Sequence, residues 1–325
     1  MKAFAVTPTG PAIVERETPR ASGTDVLVRV HACGLNRMDI AMSRGVMQGS
    51  AGGVGQVLGV EWAGEVLEAG NEASTWQPGD RVMCSGTGAY AEYALVDGGR
   101  LLPVPAGMSY VEAAALPVAL QTMHDAIATN GKLQFGQTVL VQGASSGVGL
   151  MGMQVARVLG ARWVAGSSTN EKRRAQLGDF GADLAFDSSD ANWVEQVLAE
   201  TGGVGVDLVV DQVAGPIMNQ NLRATRVQGR IVNVGRLGGM HGDFDFDLHA
   251  LRRIVYVGVT FRTRSRTEVR EIVRRVHQDL WKPLQAGVLH MPIDRVYPFE
   301  ELADALEYMG TNQHFGKIVV KMPLP

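Results

Sequence analysis

Apolar and polar positions alternate with period two through "DVLVRVHACG" over residues 25–32 and again through "GVEWAGEVLEAG", which predicts half-buried β-strands. "WQPGDRVMC" sets Pro78, Gly79 and Asp80 as a turn before a third strand, and "AYAEYALVD" reads as a fourth. Strands without helices between them, over about the first 105 residues, predict a compact antiparallel β unit. From about residue 121 the period changes. Short apolar runs at 138–141, 163–165, 184–186, 207–210, 230–234 and 254–259 alternate with helical stretches. After the first run, Val148, Met151, Val155 and Val158 recur at spacings of three and four, which is one apolar helix face. "STNEKRR" opens the next helix, with Ser168 three residues ahead of Glu171 in capping-box spacing. Six strands with crossovers predict a doubly wound, six-stranded parallel sheet, so the chain is read as α/β. From Glu268 onward two helical stretches lead to "GKIVVKM", a final strand that returns to the first domain.

Length and charge narrow the class. The 325 residues suffice for two domains, and 46% hydrophobic with 19% charged residues is an ordinary globular balance. A formal net charge of −3 leaves no footprint for nucleic acid. Arg262 to Arg275 form a basic cluster, but Glu268 and Glu271 interrupt it, which reads as a solvated helix face. No apolar run reaches the ~20 residues of a membrane span, and "MKAFAVTPTG" lacks a signal peptide's apolar segment. The expected location is cytoplasmic. Cys33 and Cys84 lie 51 positions apart without C-x-x-C spacing, so they are expected to be buried thiols and not part of a disulfide or zinc framework.

"TVLVQGASSGVGLMGMQVARVLGA" spells two machines at once. Gly143, Ser145 and Gly147 fit G-x-S-x-G, the turn that presents a hydrolase serine, and Asp211 and His290 follow in the right order. The same turn sits where a dinucleotide pyrophosphate would be cradled, with Ala144, Ser146, Gly147, Val148 and the small Gly149 in a degenerate fingerprint. The end of the second strand favours the cofactor. A carboxylate there would take a ribose 2′-hydroxyl, but none occurs before Glu171. Ser167, Ser168, Lys172 and Arg173 stand there instead, hydroxyls and cations suited to a 2′-phosphate. Cations in a first helical turn also oppose the helix dipole unless an anion binds. The cofactor is therefore read as NADPH, with Ser145 as a phosphate or backbone contact.

The order and spacing of "HACGLNRMDI", "VLGVEWAGEVLEAG", "WQPGDRV", "GAYAEYALV", "AAALPVALQTMHDAI", the cofactor turn and "HFGKIVV" resemble the medium-chain dehydrogenase/reductase superfamily, in particular its zinc-free, zeta-crystallin-like quinone oxidoreductase branch. The resemblance implies a GroES-like β-rich catalytic domain over 1–120 and 263–325, and a Rossmann NADPH-binding domain over 121–262. Zinc-bearing members hold their metal at positions that match Asn36, Val60 and Val118 here, and neither valine has a lone pair to offer. No metal is expected, although Glu61 and Asp39 remain nearby in sequence. Hydride transfer without a Lewis acid suits a conjugated carbonyl or quinone, and the branch's activity is NADPH-dependent reduction of quinones or of the C=C bond of enones and enals.

Asn36 is the candidate catalytic residue, its amide donating to the substrate oxygen; the other reading is a capping Asn that holds the turn. Some members carry a tyrosine where Ala41 aligns. Thr122, ahead of His124, lies on the segment that runs under the nicotinamide in the family. The family's nicotinamide loops match Gln212 and Val213, then Val234, Gly235, Arg236 and Leu237, then Phe261, Arg262 and Thr263, with Asn312 and Lys317 as further positions. "SRGVMQGSAGGVGQVLG" is glycine-rich for the family and is read as a mobile or open mouth of the substrate site. A homodimer through the apolar "RIVYVGVT" strand is expected. The competing readings are a non-catalytic NADPH-binding protein and a serine hydrolase using Ser145.

Overall fold

The computed structural model describes residues 1–47 and 52–323; residues 48–51, within the stretch read as an open mouth, lie outside the described residues. The chain forms two units: Met1–Val118 with Phe261–Gln285 and His290–Pro325, and Ala119–Thr260 with Ala286–Leu289.

In the first unit, β1 (Lys2–Thr7) and β2 (Gly10–Glu15) form a hairpin. The alternating segments become β3 (Asp25–Gly34), β4 (Glu61–Ala69), β5 (Arg81–Ser85), β6 (Tyr93–Asp97) and β7 (Leu101–Pro103), with the short helix α1 (Arg37–Ser43) after β3. Their apolar positions close one core in which Val26, Val28, Trp62, Val66, Val82, Cys84 and Tyr90 are fully buried. Gly59, just before β4, has φ +85°, and a Cβ there would lie 2.5 Å from the Tyr90 ring. Glycine is required on both counts.

The second unit carries β8 (Thr138–Gln142), β9 (Trp163–Ser167), β10 (Leu184–Phe186), β11 (Val206–Asp211), β12 (Thr225–Asn233) and β13 (Val255–Gly258). They lie in the order β10-β9-β8-β11-β12-β13, all neighbours parallel, which is the predicted doubly wound sheet. β8 is central and buried at all five positions, which explains its unbroken apolar character. Helix α2 (Pro117–His124) precedes the sheet, and α3 (Gly147–Val158) follows β8. The segment "STNEKRR" departs from expectation. Its helix α4 is one turn, Glu171–Arg174, capped by Asn170, whose side chain accepts the Arg173 N–H at 3.0 Å; Ser168 is not the cap. With a single turn, the helix-dipole argument for Lys172 and Arg173 loses its force.

The chain then returns to the first unit through α5 (Arg266–Gln285), β14 (Ile293–Pro298), α6 (Leu302–Gly310) and β15 (Lys317–Lys321). β15 inserts between β14 and β3 and runs antiparallel to β3, pairing Val319 with Gly34 and Val320 with Cys33. Continuing that register sets Lys317 opposite Asn36. The basic cluster on α5 is more than a solvated face: Arg270 grips both Asp97 oxygens at 2.6 and 2.8 Å, while Glu271 pairs with Arg274 and Arg275. No helix among the described residues is long and apolar enough to cross a membrane.

Candidate active site

Each unit holds one polar construction. In the second unit the chain leaves β8 through Gly143 (φ +68°) and enters α3 with Ser146 as its cap, Ser146 Oγ accepting the Gly149 N–H at 3.1 Å. A Cβ on Gly149 would stand 2.6 Å from Gly143 O and 2.7 Å from Ala144 Cα, so the turn and the helix close on each other only with glycine there. The first N–H groups of α3, from Gly147 and Val148, are left for an anion.

The turn is braced from beneath. Ser167 Oγ donates to Gln142 Oε1 at 2.6 Å and accepts the Gly143 N–H at 2.9 Å. Gln212 Nε2 donates to the carbonyls of Gln142 and Gly143, both at 3.2 Å. The Ser146 hydroxyl, 2.9 Å from Gly143 O and 3.1 Å from Gln212 Oε1, donates to one of these. These contacts give two of the expected cofactor residues a structural part. Ser167 is wholly buried and its hydroxyl engaged, so it supports the turn and does not meet a 2′-phosphate. Gln212 is buried as well, its amide a brace under the turn.

Ser168 and Ser145 do come together, with Ser168 Oγ donating to Ser145 Oγ at 2.9 Å, and Arg174 holds Ser168 O while pairing with Asp187. Lys172 is exposed beside them and Arg173 half-buried. The partner of Ser145 is a hydroxyl, not an imidazole. Asp211, the acid a hydrolase would need, has Oδ1 accepting the N–H groups of Val213 and Ala214, and burial raises its pKa. Both contacts make it a turn brace.

The strand register also lines up the carboxyl ends of neighbouring strands. Gln142, Asp211 and Asn233 lie abreast, so the loops after β8, β11 and β12 start side by side. The N–H groups of Val234 and Leu237 donate to Asp211 O and Gln212 O at 2.7 and 3.0 Å, and Gly235 approaches so closely that a Cβ would sit 2.7 Å from Gln212 O. Arg236 is half-buried and Leu237 exposed in the same loop. Thr122 is half-buried on α2. Phe261, Arg262 and Thr263 follow β13 and belong to the first unit. Asn312 follows α6 in left-handed backbone (φ +56°), its Oδ1 accepting from Arg37 at 2.8 Å.

The first unit holds a buried polar cluster around Asn36, one of the residues expected to match a zinc-ligand position. Asn36 caps α1, its N–H donating to Asp39 Oδ2 at 2.7 Å. Its side chain does more. Oδ1 accepts from Lys317 Nζ at 2.9 Å, and Nδ2 donates to Glu61 Oε2 at 3.0 Å and, more weakly, to Gly34 O at 3.3 Å. Lys317 Nζ also donates to Leu35 O at 2.9 Å and to Glu61 Oε2 at 2.5 Å. Glu61 Oε1 accepts the Val118 N–H at 2.6 Å. One carboxylate thus ties Asn36 to Val118, and an ammonium balances it. Glu61 is 0% and Lys317 5% exposed. The donor set does not suit zinc: Val60 and Val118 present hydrocarbon, and the Asn36 oxygen already faces a cation. Among the described residues no three His, Cys, Asp or Glu side chains cluster as metal ligands.

Sequence reasoning missed Tyr90, which donates to Asp39 Oδ2 at 2.7 Å from 51 positions away. Burial raises the Asp39 pKa to about 6, against the lowering effect of its bonds from Tyr90 and Asn36 and of the Lys317 charge. Burial likewise pushes the Cys84 thiol up to about 12 and the Cys33 thiol well above its ordinary value, so both are inert thiols at neutral pH. Between the ordinary carboxyl value of 3.8 and about 6, folded Asp39 holds a proton that the unfolded chain has released. This contribution to stability is complete below the unfolded value and is lost as pH rises through about 6. Asp39→Asn should therefore flatten the pH dependence of stability over that window, measured by urea unfolding at a series of pH values; an unchanged slope would assign the dependence to other groups.

Residues 22–106 match the family described as alcohol dehydrogenase GroES-like domain, and residues 147–278 match the one described as zinc-binding dehydrogenase. The chain is 32% identical to quinone oxidoreductase-like protein 2 of Bos taurus, over 96% of this chain and 89% of that protein. It is 30% identical to the highly reducing polyketide synthase pspA of Penicillium soppii over 92% of its own length but only 12% of the synthase. The crystal structure of a probable oxidoreductase from Mycobacterium abscessus superposes with a TM-score of 0.85 at 30% identity, covering 99% of this chain and 98% of that one.

Proposed function

Because this chain belongs to the quinone oxidoreductase branch of the medium-chain dehydrogenase/reductase superfamily, an oxidoreductase family whose members bind a nicotinamide cofactor, we propose that it reduces quinones or α,β-unsaturated carbonyls with NADPH and without a metal. One observation carries the reading. At the positions read as matching zinc ligands this chain has Asn36, Val60 and Val118, and a buried Glu61–Lys317 pair bonds the Asn36 side chain and the Val118 N–H. A substrate that spreads its own negative charge needs no dication. The name of the polyketide synthase relative, highly reducing, fits reduction of a conjugated alkene, although this chain spans only 12% of that protein.

The cofactor supplies a hydride when bound. The chain's own residues do the rest. The N-terminal N–H groups of α3 receive the pyrophosphate, and the paired hydroxyls of Ser145 and Ser168, with Lys172 and Arg173, take the 2′-phosphate. Asn36 offers the acceptor's oxygen the Nδ2 hydrogen that now makes the long 3.3 Å bond to Gly34 O, while Glu61 keeps the other. The protein is read as a cytoplasmic homodimer pairing β13, the edge strand of its sheet, where Val255 and Tyr256 are exposed. With NADPH deuterated at the transferable position and an enone, deuterium should appear on the β-carbon of the saturated product; NADPH left unconsumed by every quinone and enone would favour a non-catalytic NADPH-binding protein.

Lys172→Ala should weaken NADPH about tenfold, the lower end of a charge-assisted contact because the side chain is exposed, and leave NADH nearly unchanged. Fluorescence titration with both cofactors checks this. Equal losses for the two would move the phosphate site elsewhere.

A further inference from the structure

The ammonium of Lys317 is fully enclosed and meets three oxygens, Leu35 O, Asn36 Oδ1 and Glu61 Oε2. Pairing with Glu61 alone would satisfy its charge. The bond to Asn36 Oδ1 adds something different, because it draws electron density from the carboxamide toward its oxygen and leaves the Nδ2 hydrogens more positive. A hydrogen bond accepted at one end of such a group strengthens the one donated at the other. Glu61 at the same time fixes one of those hydrogens at 3.0 Å, which sets the plane of the amide and directs the second away from the carboxylate. That second hydrogen holds only the long bond to Gly34 O.

We infer that Lys317 is a positioning residue for the reduction: its ammonium polarises the Asn36 amide whose plane Glu61 sets, so that a neutral side chain donates to the developing oxyanion as a charge-assisted donor would. The inference rests on the reading of Asn36 as the oxyanion donor. Lys317 stands on β15 and Asn36 just after β3, so the strand pairing itself delivers the cation.

The test must remove the cation without leaving a buried anion. Glu61→Gln/Lys317→Met removes both charges, and its folding is checked by circular dichroism. If methionine leaves the strand unfolded, Glu61→Gln/Lys317→Gln, whose two amides can bond each other across the same gap, takes its place. Removing an oxyanion donor outright lowers kcat by about a hundred- to a thousandfold, so loss of polarisation should lower kcat for an enone by roughly tenfold. The Kd for NADPH should stay within about twofold of the wild type, a split that a merely structural role would not give. Wild-type kcat in the folded double variant would overturn the inference and leave the enone reductase reading intact. A wild type that reduces no conjugated carbonyl would instead overturn that reading, and the inference with it.

Discussion

Glu61→Ala is expected to lower the free energy of unfolding by about 3–5 kcal/mol, the usual consequence of removing one partner from a buried ion pair. The pair is enclosed on both sides, with Glu61 0% and Lys317 5% exposed, so neither charge has water in reserve. Truncation strands the ammonium beside two neutral oxygens and also removes the acceptor of the Val118 N–H and of Asn36 Nδ2. The part-buried Val118 N–H loses its acceptor and Asn36 Nδ2 keeps only its long bond to Gly34 O, a second cost in the same direction. In a chain of this size each kcal/mol lowers Tm by about 2–4 °C, so a drop on the order of ten degrees should be visible in a thermal scan. Glu61→Gln/Lys317→Met should recover most of the loss, because removing both charges of a buried pair is often neutral. A fall of less than about 1 kcal/mol for Glu61→Ala would mean that the site is wet and the pair is no more than a surface contact.

The fold was readable because each element repeats its period several times. The six apolar runs of the second half are the six strands β8 to β13, and the shift from period two to strand–helix alternation separated a β-rich half from a doubly wound one. Gly149 was legible as a small position against the sheet, and the 2.6 Å approach to Gly143 O shows why. Side-chain direction was not legible. Ser167 and Ser168 are adjacent in sequence, yet one hydroxyl points beneath the turn to Gln142 and the other reaches Ser145, a choice made by the last pleat of β9. The capping-box spacing pointed to Ser168, whereas Asn170 caps α4. The cluster of Asn36, Asp39, Glu61, Tyr90 and Lys317 is built from residues up to 281 positions apart, and strand pairing brings them together. No local pattern carries such a contact.

The acceptor should be an electron-poor conjugated carbonyl, with unactivated ketones slower by orders of magnitude. Hydride delivered to a saturated ketone leaves a full negative charge on one oxygen. With hydrocarbon at positions 60 and 118, the donor we propose is the Asn36 amide. A single well-placed donor contributes about 2.7–4 kcal/mol of transition-state stabilisation, and losing a metal's charge costs at least as much, roughly a hundredfold or more in rate. Conjugation lowers that demand by spreading the charge within the substrate. Asn36→Ala should accordingly lower kcat for enones with little effect on NADPH affinity, provided the variant keeps its fold. The decisive measurement is NADPH consumption at 340 nm by protein treated with a chelator and freed of it, given an enone and its saturated counterpart. The account predicts full activity on the enone, with the saturated ketone slower by roughly a hundredfold or more. Equal rates on the two, or enone activity that is lost on chelation and restored by zinc, would contradict it.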